Sequence, residues 1–150
     1  MSNIQDTIKM TGRLNIVLTD ADGNVKDQRE VDNLVVTVGK SYVASRMKDA
    51  TATAMSHMAV GTTSTAPAVG DTTLGAEIAS SRTALTSTTV TTNSVAYVCT
   101  FGTGVGTGAI VEAGIFNAAS AGTMLCRTTF SVINKGASDT LTITWTVTVN

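Results

Sequence analysis

The sequence predicts a mainly β fold, a jelly-roll-like antiparallel β-sandwich with one or two short helices. Three observations predict it. Residues 139–149 read Asp-Thr-Leu-Thr-Ile-Thr-Trp-Thr-Val-Thr-Val, with Leu141, Ile143, Trp145, Val147 and Val149 alternating strictly with five threonines. Successive strand residues point to opposite faces, so this segment has a greasy face and a hydroxyl face. Its β-branched and aromatic side chains suit a pleated sheet better than a helix. Short apolar runs recur along the chain with glycine-rich breaks between them, where turns are expected. Threonine is abundant and proline occurs once, at Pro67.

In chain order, Gly12 to Thr19 reads as a strand with Leu14, Ile16 and Leu18 on one side. The Asp-Gly of Asp22-Gly23 then signals a hairpin, with Val25 to Glu30 returning. Asn33 to Val38 is a further apolar run. Gly39 to Asp49 is the best helix candidate, because Tyr42, Val43, Arg46 and Met47 share a helical stripe. Met55 to Gly61 reads as a buried strand and residues 62–70 as a loop. Asp71 is placed to cap a short helical turn through Leu74 and Ile78. From Arg82 onward the pattern is nearly all β. Ala84 to Phe101 is too long for one strand, and Thr92-Asn93-Ser94 breaks it into a hairpin whose second arm aligns Val95, Tyr97, Cys99 and Phe101. Gly102 to Gly108 forms a glycine-rich hairpin turn. Ala109 to Phe116, Thr123 to Ile133 and Leu141 to Val149 are the last strands, giving about eight in all, as in a two-sheet sandwich.

The chain reads as one domain, residues 1–150, with 1–10 a polar N-terminal arm. Net charge is −1 and only 14% of residues are charged, so neither nucleic acid nor an anionic membrane is an expected partner. A free cytosolic protein normally carries more surface charge. Low charge suits a surface covered by neighbours in an assembly. The first ten residues lack the apolar core of a signal peptide, and no apolar run is long enough for a membrane helix, which predicts synthesis and assembly in the cytoplasm. Cys99 and Cys126 fall in strand-like runs and read as free buried thiols; a disulfide would need neighbouring strands and an oxidising compartment.

Motifs for chemistry fail on context. Gly104 to Ala109 matches a dinucleotide fingerprint formally, but a strand follows where a helix N-terminus must hold the pyrophosphate. Asp20, Asp22 and Asn24 resemble a calcium loop, but Gly23 comes too early and Val31 stands where the last carboxylate belongs. His57, the one histidine, lies among Met55, Met58 and Val60 without a nucleophile elbow, and reads as a packed or interface residue. Asp71, Glu77 and Glu112 could pair as acid and base for glycoside cleavage, yet nothing in the sequence brings two of them together. Glu112, just before Ala113-Gly114, otherwise reads as a strand-edge or bulge charge. Met47, Met55 and Met58 read as core filling. The expectation is no enzyme, no catalytic residue, no metal and no cofactor.

Three segments carry a resemblance. They are His57-Met58-Ala59-Val60-Gly61-Thr62-Thr63 leading through Ala66-Pro67 to Asp71-Thr72-Thr73-Leu74-Gly75-Ala76-Glu77; Ile110-Val111-Glu112-Ala113-Gly114-Ile115-Phe116-Asn117; and Gly122-Thr123-Met124-Leu125-Cys126-Arg127 running into the threonine-rich final strand. Their order resembles small structural proteins of tailed bacteriophages, over most of the chain from about Gly12 onward. The resemblance implies a virion location. It does not single out head or tail; size, fold and the single domain favour a capsid cement or decoration protein, which the resemblance implies binds the major capsid protein as a homotrimer, with a tail, baseplate or fibre component as the alternative and a small glycan-cleaving enzyme third. Ser2 to Lys9 would then order on a neighbour during binding.

Overall fold

A computed structural model describes residues 7–48 and 52–150. Ten strands and one helix follow in the order β1 (Met10–Thr19), β2 (Val25–Asp32), β3 (Leu34–Val35), α1 (Thr37–Arg46), β4 (His57–Gly61), β5 (Thr83–Ala84), β6 (Ser87–Thr91), β7 (Ser94–Phe101), β8 (Gly108–Phe116), β9 (Met124–Lys135) and β10 (Thr140–Val149). They form two antiparallel five-stranded sheets, β2-β1-β10-β7-β6 (sheet A) and β3-β9-β8-β4-β5 (sheet B). This is the all-β sandwich that the sequence predicts. The pairings nest, β1 with β10, β3 with β9 and β4 with β8, as in a rolled ribbon. Local hairpins β1–β2, β6–β7 and β8–β9 complete the sheets.

The alternation in β10 sets the centre of the core. Leu141, Ile143 and Trp145 stand opposite Leu18, Ile16 and Leu14 of β1, and opposite Phe101, Cys99 and Tyr97 of β7. All but Tyr97 are buried, and Tyr97 packs against the same cluster. Sheet B meets them with Met58, Val60, Ala113, Ile115, Cys126 and Ile133. Val147 is buried as expected; Val149, at the sheet's end, is 39% exposed. Among the aromatics, Phe101, Phe116 and Trp145 are fully buried.

Several expected elements shift. The helix starts at Thr37, not Gly39, and Asp49 lies outside the described residues. It sits against β9 because Gly39 has no side chain; a β-carbon there would collide with the Leu125 carbonyl. The helix and its N-cap Val36 claim the second half of the apolar run 33–38, leaving only Leu34 and Val35 paired with β9. Met55 and Met58 fill the core, but Met47 is 82% exposed. It caps the helix, so the stripe that aims Tyr42 and Val43 inward has already ended. No second helical turn forms at 71–78, because Asp71 and its neighbours serve another purpose described below.

The bulge expected near Glu112 exists. Between Ile110 and Glu112 the register slips, so that Phe130, Ser131 and Val132 of β9 face only Val111. A bulge leaves carbonyls unpaired. Arg29 of β2 donates to those of Ser131 and Val132, tying one edge of sheet A to sheet B.

Candidate functional site

The outer face of sheet B is built to receive a loop. Residue alternation puts Ala59, Gly61, Gly114 and Phe116 there, and the register shift after Ile115 brings Met124 opposite Phe116, giving a surface of low side chains flanked by larger ones. The segment between β4 and β5, residues 62–82, crosses this face. Leu74 fills the hollow: a β-carbon at Gly114 would come within 2.9 Å of its Cδ2. Leu74, Val36, Ala59, Phe116 and Met124 form a second, separate hydrophobic cluster.

Glu112 and Arg127, paired in neighbouring strands near this hollow, fix the loop electrostatically. Glu112 is fully buried and Arg127 nearly so. Glu112 Oε1 accepts the backbone N–H of Ala76 (2.8 Å) and of Thr63 (3.4 Å), and Oε2 accepts that of Gly75 (3.0 Å). Arg127 donates Nε (3.1 Å) and Nη2 (2.9 Å) to Oε2, Nη1 to Asp71 (2.9 Å) and Nη2 to the Thr65 carbonyl (3.0 Å). Asp71 in turn accepts the Ala68 N–H. A buried charge is tolerable only when paired and hydrogen-bonded, and here every partner comes from the loop or from the next strand.

The three carboxylates considered for acid–base work are thereby accounted for. Asp71 and Glu112 meet through Arg127 and do not face each other across a gap. Glu77 pairs with Arg82 (2.8 Å), whose guanidinium lies 3.6 Å from the Phe116 ring centre and also reaches the Ala118 and Ala121 carbonyls. Such a cation over an aromatic face adds about 0.5–1 kcal/mol. The expectation of a strand-edge charge at Glu112 fails, because β8 is the middle strand of sheet B. Glu112 sits beside the bulge but serves the loop. The readable signal was a lone acid in the apolar run Ile110–Phe116 and a lone base beside Leu125-Cys126.

The remaining motifs are structural as placed. His57 Nδ1 contacts the neighbouring Ser56 Oγ (2.8 Å), and no carboxylate hydrogen-bonds the ring among the described residues. Asp20 Oδ1 accepts the N–H groups of Asp22 and Asn24 (both 2.9 Å), closing the β1–β2 turn with Gly23 at φ +86°. The Asn24 N–H, with that of Asp22 adding, draws the Asp20 carboxyl below its usual range. Among the described residues no three His, Cys, Asp or Glu side chains cluster as metal ligands, and no helix is long and apolar enough to cross a membrane. Cys99 and Cys126 are free, and burial pushes both thiols up to about 12. The glycine-rich segment 102–108 links β7 of one sheet to β8 of the other; it is a crossover, not the expected hairpin turn.

At that crossover, buried Lys135 donates to the Gly102 carbonyl (2.8 Å), and Asp139 bonds Lys26 (2.8 Å) and the Gly136 N–H (2.8 Å). The Lys26 ammonium, then the Gly136 N–H, hold the Asp139 carboxyl below its ordinary 3.8, while burial lowers Lys135. A depressed folded-state pKa stabilises above the unfolded value and is lost as pH falls through the folded one. Asp139→Asn should therefore cost stability at neutral pH. The gap to the parent should persist down to about pH 4 and close below it, measured by urea titration at stepped pH. A gap that ignores pH would refute the charge-based account.

Outward, the molecule presents a different chemistry. The threonine face of β10, residues 140–148, is half-buried on the outside of sheet A. Its neighbours on that face include Ser94, Ala96, Val98 and Thr100 of β7. Thr100 and Thr142 share a hydroxyl contact (3.4 Å). Charge on this face gathers at one end, where exposed Arg13 meets Glu30 (2.7 Å) and Asp32 (3.9 Å). Beyond β7 lies β6, five exposed residues at the sheet's edge. Compared with known proteins, the chain matches no protein-family model, no curated protein and no solved structure.

Proposed function

We propose that this chain is a structural protein of a tailed-phage particle, and that it acts as a capsid cement or decoration protein, binding the major capsid shell as a homotrimer. One observation carries the reading. The buried charges hold a loop and the sandwich ends in place, while the outside offers a neutral, hydroxyl-rich sheet face suited to protein contact. The segments that resemble virion proteins also support it. Parts of all three, residues 57–77, 110–117 and 122–127, meet at the Glu112–Arg127 pair, while the final strand that the third segment runs into lies in sheet A.

Cement action needs no chemistry on a substrate. A protein that binds the assembled shell and not its free subunits stabilises the shell by mass action, about 2.7 kcal/mol per site at a hundred times Kd. Repetition over a symmetric lattice adds avidity. The test is to image the particle and count copies against the major capsid protein. Density on capsid faces or symmetry axes, with a copy number of the same order as the shell protein, is the expected result. Density confined to the tail, with a handful of copies, would replace cement with a tail, baseplate or fibre role.

A further inference from the structure

We propose that β6 is a pairing edge through which two copies of this chain join about a two-fold axis at Thr89, making their two A sheets continuous. An edge strand presents unpaired N–H and C=O groups, and soluble proteins usually blunt it with charge, proline or shortness. The other edges here are blunted. β2 carries Lys26, Asp27, Arg29, Glu30 and Asp32, and β3 and β5 are two residues long. β6 reads Ser87-Thr88-Thr89-Val90-Thr91, with every residue exposed and no charge, proline or glycine. No charged residue occurs from Thr83 to Val111, so the β6–β7 hairpin is neutral throughout.

The strand also fits itself. Antiparallel pairing centred on Thr89 sets Ser87 opposite Thr91 and Thr88 opposite Val90. Cross-strand threonine pairs are favourable, and like charges, which would oppose pairing of identical strands, are absent. Val90 pairs with Val95, so it lies on the inner side of sheet A, yet it is 71% exposed because sheet B stops short of it. Thr88 of a second copy would cover it. The contact is isologous, with the same patch on both sides. It cannot close a ring of three, so in a trimer it links one trimer to the next. The inference holds whether the chain sits on a head or a tail. Five paired residues bury less than the roughly 1,200 Å² of a stable interface, so the contact is weak alone and strong when repeated.

Cysteine cross-linking of the full chain tests the register. Cys99 and Cys126 are buried, which makes the parent protein the blank. Under mild oxidant at high concentration, Thr89→Cys should form a covalent dimer at least about tenfold faster than the exposed edge control Val25→Cys, because pairing raises the local thiol concentration. Ser87→Cys alone should match the control, whereas mixing it with Thr91→Cys should give the mixed dimer. If Thr89→Cys reacts no faster than Val25→Cys, or Ser87→Cys alone reacts as fast as Thr89→Cys, the pairing is overturned.

Discussion

Glu112→Ala is expected to lower the stability of the folded chain by about 3–5 kcal/mol, the cost of breaking a buried ion pair from one side. The change leaves the N–H groups of Gly75 and Ala76 without their acceptor and strips the buried Arg127 guanidinium of one of its two carboxylates. Its first consequence should be local. The stretch 62–76 should become a protease target while the sandwich still holds, since it meets the sheet mainly here and at Leu74, whereas Ile78, Ser81 and Arg82 keep their own bonds to Val60, Ala118 and Ala121. Removing both charges with well-packed apolar residues, Glu112→Leu with Arg127→Met, should cost less than the sum of the single changes. Urea unfolding and timed proteolysis read both effects. A single variant within 1 kcal/mol of the parent, or a double variant that is simply additive, would show that the pair does not carry the loop.

Trp145→Ala should be comparably severe, about 3–5 kcal/mol, because it empties the middle of the core. Trp145 is fully buried between Leu14 and Tyr97 in the register of sheet A. Its Nε1 has no hydrogen-bond partner among the described residues, however. A buried unmet donor costs about 1–3 kcal/mol by itself. Trp145→Phe keeps most of the volume and discards that donor, so its net cost should be no more than about 1 kcal/mol. Circular dichroism during urea titration separates the two variants. Equal losses would mean that the indole N–H is met, or that its packing alone decides.

The final strand was legible because its information is local. A period of two over ten residues fixes both the strand and the side that Leu141, Ile143 and Trp145 bury. Elsewhere the deciding partner lay far off in sequence. Asp71 looks like a helix cap until Arg127, on another strand, takes its carboxylate. Glu112 could not be assigned because three of its donors are backbone N–H groups, which residue type does not reveal. Met47 continued the helical stripe in sequence, but the helix ends one residue before it. The turn at 102–108 has the composition of a hairpin, and only the pairing of β8 with β4 and β9 shows that the chain has changed sheets.

The place of β10 in sheet A bears on how the protein is made. It lies between β1 and β7, and Thr19 touches Thr140 across 121 residues of chain. Without β10, sheet A is two separate ribbons with a gap one strand wide. Pairing at such separation is slow, because loop closure must precede any reward. While a ribosome is still delivering the preceding residues, β1 and β7 are both open edges that strands of other nascent chains could fill. Insertion of β10 therefore turns two sticky ribbons into one sheet and closes the two inner edges, on β1 and β7, leaving β6 as the neutral edge of sheet A.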